Sequence, residues 1–462
     1  MPVTRSQAAA AEQCKLEKKE GQESTGADNA FEKLPDELLL KIFSELAKIG
    51  PVIEGDAEEV SSRSPWFNTE PHPGLRAYPF LSQVCKRWQG ILKNPGHGSE
   101  LWREVIIDFG HELITAVHTP IAWSDRRPSD EEFRQSFAQT RLSATRMLHF
   151  VEERQQCVRR LVLMNSEGYW SDEGDFVNLQ SKHNFTMAHF GLLLGVVKNN
   201  LQELQIQHCN DIFCRTHQGA MGAIAYVRGL RVLRIEDLHC RLEHEAVTDL
   251  GQLTQLEELA ITGEEHVHPN SWAIGLSSVP DSWRSMKRLK RLQLQGHTIL
   301  EALPDWLAEL QITNLDVSFC KGCNISVVSS MTSLQVLSLQ GMPLTDPARA
   351  QGVQLPALDR LTGLTALNLS ENTLEEVPPC LSKLTALRFL DLSLNHMLRV
   401  KQPLNVLSGL PELCMVDFRG IHDEPSMGYW SEAKCATMRH VSALAKALRR
   451  RRHGTKVHVD VS

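Results

Sequence analysis

The chain has 462 residues and a mass of 52.0 kDa, room for two to four domains or for one domain and a long repeat array. Forty-two per cent hydrophobic residues exclude global disorder. A net charge of -7 and a pI near 6.3 argue against a dedicated nucleic-acid binder, whose usual mark is a strongly basic domain.

Residues 1–30 are polar, alternate Lys and Glu and show no apolar period, as expected of a disordered tail without the apolar core of a secretory leader. Leu34-Pro-Asp-Glu-Leu38 follows. Pro35 suits a first helical position, and Leu38, Leu39, Ile42, Phe43 and Leu46 form one apolar stripe at helical spacing. Residues 50–77 interrupt it with Pro51, Pro65, Pro71 and Pro73, a 28-residue insertion. Helical spacing resumes at Phe80, Leu81, Val84, Cys85, Trp88, Ile91 and Leu92, and Leu101-Trp102 opens another short unit. Residues 108–157 are expected to be a helical linker or cap. An amphipathic helix is expected from 431, running into Arg449 to Arg452 and a basic tail.

Leucine is unevenly placed: 19 residues in 1–200, 41 in 201–420 and 2 beyond. The cause is the pattern L-x-x-L-x-L, beginning at Leu201, Leu230, Leu256, Leu289, Ile312, Leu334, Leu364, Leu387 and Leu413, with a further copy at Val158. The steps from Leu201 are 29, 26, 33, 23, 22, 30, 23 and 26 residues. Cys209, Cys320, Asn372 and Asn395 fill the Asn or Cys slot that follows. This is the leucine-rich-repeat signature. It implies an α/β solenoid over 158–430, with a curved parallel sheet on its concave side and a C-terminal capping helix. Extra loops are expected near 210–225, 263–285 and 341–360. Each coil buries its leucines only against its neighbours.

Strand residues beside the inward leucines should face the concave side. Gln205, Arg234, Arg291, Gln293, Asp316, Asn368, Asp391 and Asp417 are the candidate target-binding set, basic before acidic along the array. The competing reading is a solvated sheet whose Asp and Asn are ordinary repeat choices. Cys320-Lys-Gly-Cys323 is a lone C-x-x-C without a partner motif for zinc. Eleven scattered cysteines suit a reducing compartment. No H-E-x-x-H, G-x-S-x-G, P-loop or dinucleotide fingerprint occurs, so neither catalysis nor a cofactor is expected. The longest apolar run, 192–197, is too short to span a bilayer, so no membrane association is expected.

The two stripes before the array resemble an F-box, carried by Leu34-Pro-Asp-Glu-Leu38 to Phe43, by Leu81-Ser-Gln-Val-Cys-Lys-Arg-Trp88 and by Leu101-Trp102. The resemblance spans 31–107 around the insertion. It implies a small helical module that docks a Skp-type adaptor through Leu34, Pro35, Leu38, Ile42, Leu81, Val84 and Trp88, and so joins a cullin–RING ubiquitin ligase. With repeats behind it, the chain resembles the non-catalytic substrate receptors of SCF ligases, at work in the cytoplasm, the nucleus or both. The alternative is a ligase-independent repeat scaffold or regulator of a signalling protein.

Overall fold

The structure is a computed structural model. It describes residues 103–108, 148–149, 151–164, 169–170, 176–177, 187–207, 209, 217–238, 241–242, 244–263, 275–345, 353–396, 398, 405–421, 441–443, 446 and 456–458. The adaptor-docking residues named above and the insertion at 50–77 lie outside them.

Twelve parallel strands form one sheet in unbroken chain order. They are β1 (Glu104–Asp108), β2 (Arg160–Met164), β3 (Glu203–Gln207), β4 (Val232–Leu238), β5 (Glu258–Gly263) and β6 (Arg291–Gln293). The row continues with β7 (Asn314–Asp316), β8 (Val336–Ser338), β9 (Ala366–Asn368), β10 (Phe389–Asp391), β11 (Met415–Asp417) and β12 (Lys456–His458). The register is set by the leucines: Leu161 pairs with Leu204, Leu204 with Leu233, Leu233 with Leu259 and Leu259 with Leu292. Leu292 then pairs with Leu315, Leu315 with Leu337, Leu337 with Leu367 and Leu367 with Leu390. Because side chains alternate between faces, one inward leucine fixes which residues of its strand face out. All 27 inward slots of the nine patterned copies are buried, none more than 3% exposed. Burying a leucine contributes about 2 kcal/mol, so the spine that they form is the main stabilising element.

The return half of the coils changes along the array. The early coils carry helices: α1 (Met187–Val197), α2 (His217–Ala225) and α3 (His244–Thr248). The coils that follow close with 3-10 turns at Asp281–Ser285, Asp305–Glu309, Ser326–Ser330, Leu358–Arg360 and Pro379–Lys383. Pro280 and Pro304 start two of these turns with φ of -66° and -71°, the angle that the ring imposes. The projecting loop expected over 210–225 is therefore corrected in its second half. Residues 217–225 are a helix, and Ala220, Met221 and Ile224 are in the core.

Two strands extend the array beyond the patterned copies. β1 belongs to a copy in which Val105 and Ile107 stand in register with Leu161 and Leu163. β12 pairs Val457 with Val416, and the strand carries no leucine, so the stretch reads from sequence as tail. Residues Val441–Ala443 are helical, with Val441 buried, at the place where the capping helix is expected.

The turn that leaves each strand repeats in detail. In six successive coils the residue before the Asn/Cys slot has a positive φ: Gly296 (76°), Phe319 (60°), Gly341 (62°), Glu371 (55°), Leu394 (55°) and Gly420 (67°). This left-handed turn points the next side chain inward. There Asn372 donates from Nδ2 to the carbonyls of Leu339, Leu369 and Ser370 and accepts the Leu344 amide. Asn395 likewise reaches Leu369, Leu392 and Ser393 and accepts from Leu374. One amide thus satisfies backbone groups of two coils that would otherwise be buried unpaired.

Candidate protein-binding face

Two files of side chains run across the strands in register on the face opposite the leucine spine. The first file holds Glu104, Arg160, Glu203, Val232, Glu258, Arg291, Asn314, Val336, Ala366, Phe389, Met415 and Lys456. The second file runs through Gln205, Arg234, Ala260, Gln293, Asp316, Ser338, Asn368, Asp391 and Asp417. Seven of the eight sequence-derived target-binding residues therefore share one file, and Arg291 stands in the first.

The early coils carry an ion-pair ladder. Arg160 meets Glu104 at 2.8 Å and Glu203 at 3.5 Å, and donates to Gln205 at 3.1 Å. Gln205 in turn donates to Glu236 at 3.1 Å. Arg234 and Arg291 converge on opposite oxygens of Glu258, at 2.6 and 2.9 Å. The two basic residues expected to mark one end of a polarised groove are thus neutralised from within the face. Glu258 is absent from the sequence-derived set, because only the register shows that it lies between them.

The acidic residues are tied to their own strand ends. Asp316 accepts the Ser318 amide at 2.9 Å and its hydroxyl at 2.6 Å, and that hydroxyl shares a bond with Ser338 Oγ at 2.8 Å. Asn368 accepts the same two groups of Ser370 at 2.9 and 2.7 Å. Asp391 accepts the Ser393 amide at 2.9 Å, and Asp417 accepts the Arg419 amide at 3.0 Å and its guanidinium at 2.7 Å. Each is a short side-chain-to-backbone clasp of the kind that Asx turns use. Asp316, Asn368 and Asp417 are buried by it, whereas Asp391 is half-buried. Burial pushes the Asp391 carboxyl above its ordinary 3.8, and Asp417 adds to this against the hydrogen bonds of Ser393 and the charge of Arg419.

Beside these clasps the first file becomes apolar. Val336, Ala366, Phe389 and Met415 are neighbours in register across β8–β11. Phe389 is 36% exposed, and the Arg388 guanidinium lies 5.8 Å from its ring centroid. This stripe is legible in the sequence only after the files are aligned.

The cysteine pair has a packing role. Both thiols are buried, and Cys320 Sγ donates to the Leu294 carbonyl of the preceding coil at 2.9 Å, the job that Asn372 and Asn395 do elsewhere. Burial raises the Cys320 thiol and pushes Cys323 up to about 12, which keeps both protonated and poor as nucleophiles or metal ligands. Among the described residues no group of three or more His, Cys, Asp or Glu side chains is placed to hold a metal, and no helix is long and apolar enough to cross a membrane. Sequence reading missed His297, which fills the same slot three residues after Leu294. It is fully buried, and its Nδ1 accepts the Leu276 amide at 3.2 Å, so the ring is the neutral Nε2–H form. Burial lowers its pKa to about 4. The Ile261 carbonyl opposes this, although Nε2 makes no well-formed hydrogen bond.

No protein-family model matches the chain, and no curated protein matches it. Solved structures do resemble it at low similarity. TLR13 in complex with ssRNA13 is 18% identical over 58% of this chain with a TM-score of 0.38, and the chain spans only 36% of that protein's length. An internalin of Listeria monocytogenes is 14% identical over 71% of this chain and 92% of its own, TM-score 0.36. A leucine-rich-repeat protein of Leptospira interrogans is 16% identical over 67% of this chain and 91% of its own, TM-score 0.32. The in-register leucine spine and the parallel strands stacked along it give the chain the fold of a leucine-rich-repeat solenoid.

Proposed function

We propose that the protein is the non-catalytic substrate receptor of an SCF-type ubiquitin ligase. Its F-box-like halves dock a Skp-type adaptor, and its concave face holds the protein to be modified. The observation that carries this reading is one of sequence order. The F-box resemblance spans 31–107, with its last motif at Leu101-Trp102, and its final residues overlap β1 of the solenoid, which starts at Glu104. The docking module and the first strand of the binding face are therefore consecutive in the sequence. The mechanism is positional: a target held on the face is kept near the ubiquitin-loaded enzyme, which raises its effective concentration there.

Co-purification with a Skp-type adaptor tests the reading. Leu34→Ala combined with Pro35→Ala should abolish it while leaving the thermal transition of the array unchanged. A chain that never retains the adaptor, or a double variant that retains it fully, would overturn the assignment and leave the ligase-independent scaffold.

A further inference from the structure

We propose that the late part of the concave face, over β8–β11, receives a protein segment that sets a lysine or arginine two residues from an apolar side chain. This rests on the reading of the concave face as the target-holding surface and narrows what it holds.

The two halves of the face differ in what they leave unsatisfied. In the early coils Arg160, Arg234 and Arg291 each meet a carboxylate of the same face. A partner arriving there has to break ion pairs before it makes any. In the late coils Phe389 presents its ring to solvent with Met415 beside it in the next strand. Two residues on, on the same face, stand Asp391 and its register neighbour Asp417. Strand geometry puts Phe389 and Asp391 about 7 Å apart. An extended partner repeats that spacing between its own residues i and i+2.

Charge decides the occupant. Asp417 already has Arg419 at 2.7 Å, whereas no described Lys or Arg forms an ion pair with Asp391. Arg388, the nearest cation in sequence, lies over the Phe389 ring. Asp391 is half-buried, and burial raises its pKa against the Ser393 hydrogen bonds and the charge of Arg419, which is engaged by Asp417. An acidic partner would meet two like charges. A purely apolar one would cover Asp391 without compensating it, at a cost that exceeds the gain from burying Phe389. A cation next to an apolar group satisfies both, one in a charge-assisted hydrogen bond and the other in contact with Phe389 and Met415.

The test is selection from a displayed random-peptide library on the full chain, followed by affinity measurements with a synthesised winner. Two variants serve as controls, Phe389→Ala and Asp391→Asn. The second removes charge but keeps the clasp, because Asn368 at the equivalent position accepts the Ser370 amide at the same 2.9 Å. The expected winners carry an apolar-x-Lys/Arg motif, and each variant weakens them about tenfold, while added salt weakens them further. Winners that are acidic or uncharged, or winners indifferent to both variants, overturn the proposal. So do winners that depend on Glu258 instead, which would keep a target-holding concave face but place the target elsewhere. Self-association abolished by Phe389→Ala would make a second copy the occupant and also overturn it. Adaptor co-purification is unmoved by either variant, so failure here is distinct from failure of the ligase assignment.

Discussion

Asn372 Nδ2 lies 2.9 Å from the carbonyl of Leu339, 33 residues earlier, and this bond joins one coil to the one before it. The same nitrogen also serves Leu369 and Ser370. Asn372→Ala orphans several buried backbone groups at once and should cost about 3 kcal/mol or more, read as a lowered midpoint in urea. Asn372→Cys should recover part of the loss, since Cys320 Sγ reaches the matching Leu294 carbonyl.

His297 makes the array acid-sensitive. Its pKa is about 4 in the folded chain and 6.5 outside it, so the unfolded state binds the proton more readily. Stability is therefore complete above pH 6.5 and falls as pH drops from there toward 4, by about 3 kcal/mol at the limit. Gly275 packs against the ring, and a Cβ there would lie 1.9 Å from Nδ1. His297→Asn should keep the slot filled and flatten the melting temperature between pH 6.5 and 4.5. An unchanged pH profile in that variant would refute this role.

The left-handed turn predicts opposite outcomes for two exchanges. Gly341→Ala forces a side chain into a φ of 62° and puts its Cβ 2.3 Å from the Phe319 ring of the preceding coil, and should cost about 3 kcal/mol. Glu371 holds the same turn at 55° with an exposed side chain, so Glu371→Gly should stabilise by up to about 1 kcal/mol. Denaturant midpoints of the two variants should move in opposite directions.

At Glu258 one carboxylate holds two arginines of unequal burial. Arg234 is 16% exposed and Arg291 58%. Glu258→Gln leaves a partly buried Arg234 without a counter-charge and should cost about 2 kcal/mol. Arg291→Ala should cost under about 1 kcal/mol, as exposed pairs do. Equal losses would mean that Arg234 finds another anion.

Asp391 carries a sign opposite to that of most carboxylates in ion pairs. Its folded pKa is raised above 3.8, so its contribution is fully present below that value and is lost as pH rises through the folded pKa. Asp391→Asn should therefore melt about 1–2 °C higher than the parent chain at pH 7. The two should converge as the pH approaches 4.

The leucine spine was legible because a period-two strand leaves no choice of face once L-x-x-L-x-L is in register; Leu204, Leu292 and Leu390 lie where the pattern puts them. β1 and β12 escaped the pattern because Val105, Ile107 and Val457 stand in register with its leucines and valines, a substitution that a pattern of letters cannot weigh. The files were only half legible. Coil steps of 22 to 33 residues hide which outward residue meets which, so the meeting of Arg234 with Arg291 on Glu258 shows only in three dimensions. The Asp and Asn residues read as ligand groups share one file, and their clasps onto Ser318, Ser370 and Ser393 depend on a turn that the letters do not display.

The unbroken strand order has a consequence for assembly. Every interior strand of this sheet spends its backbone groups on two neighbours, so among the described residues another chain can extend the twelve-stranded sheet only beyond β1 or β12. β12 has three residues and begins with Lys456, and short charged edges are poor templates for end-to-end growth. A long, regular, leucine-lined sheet is in principle a filament seed; this one is protected at its trailing end by a strand that carries no leucine at all.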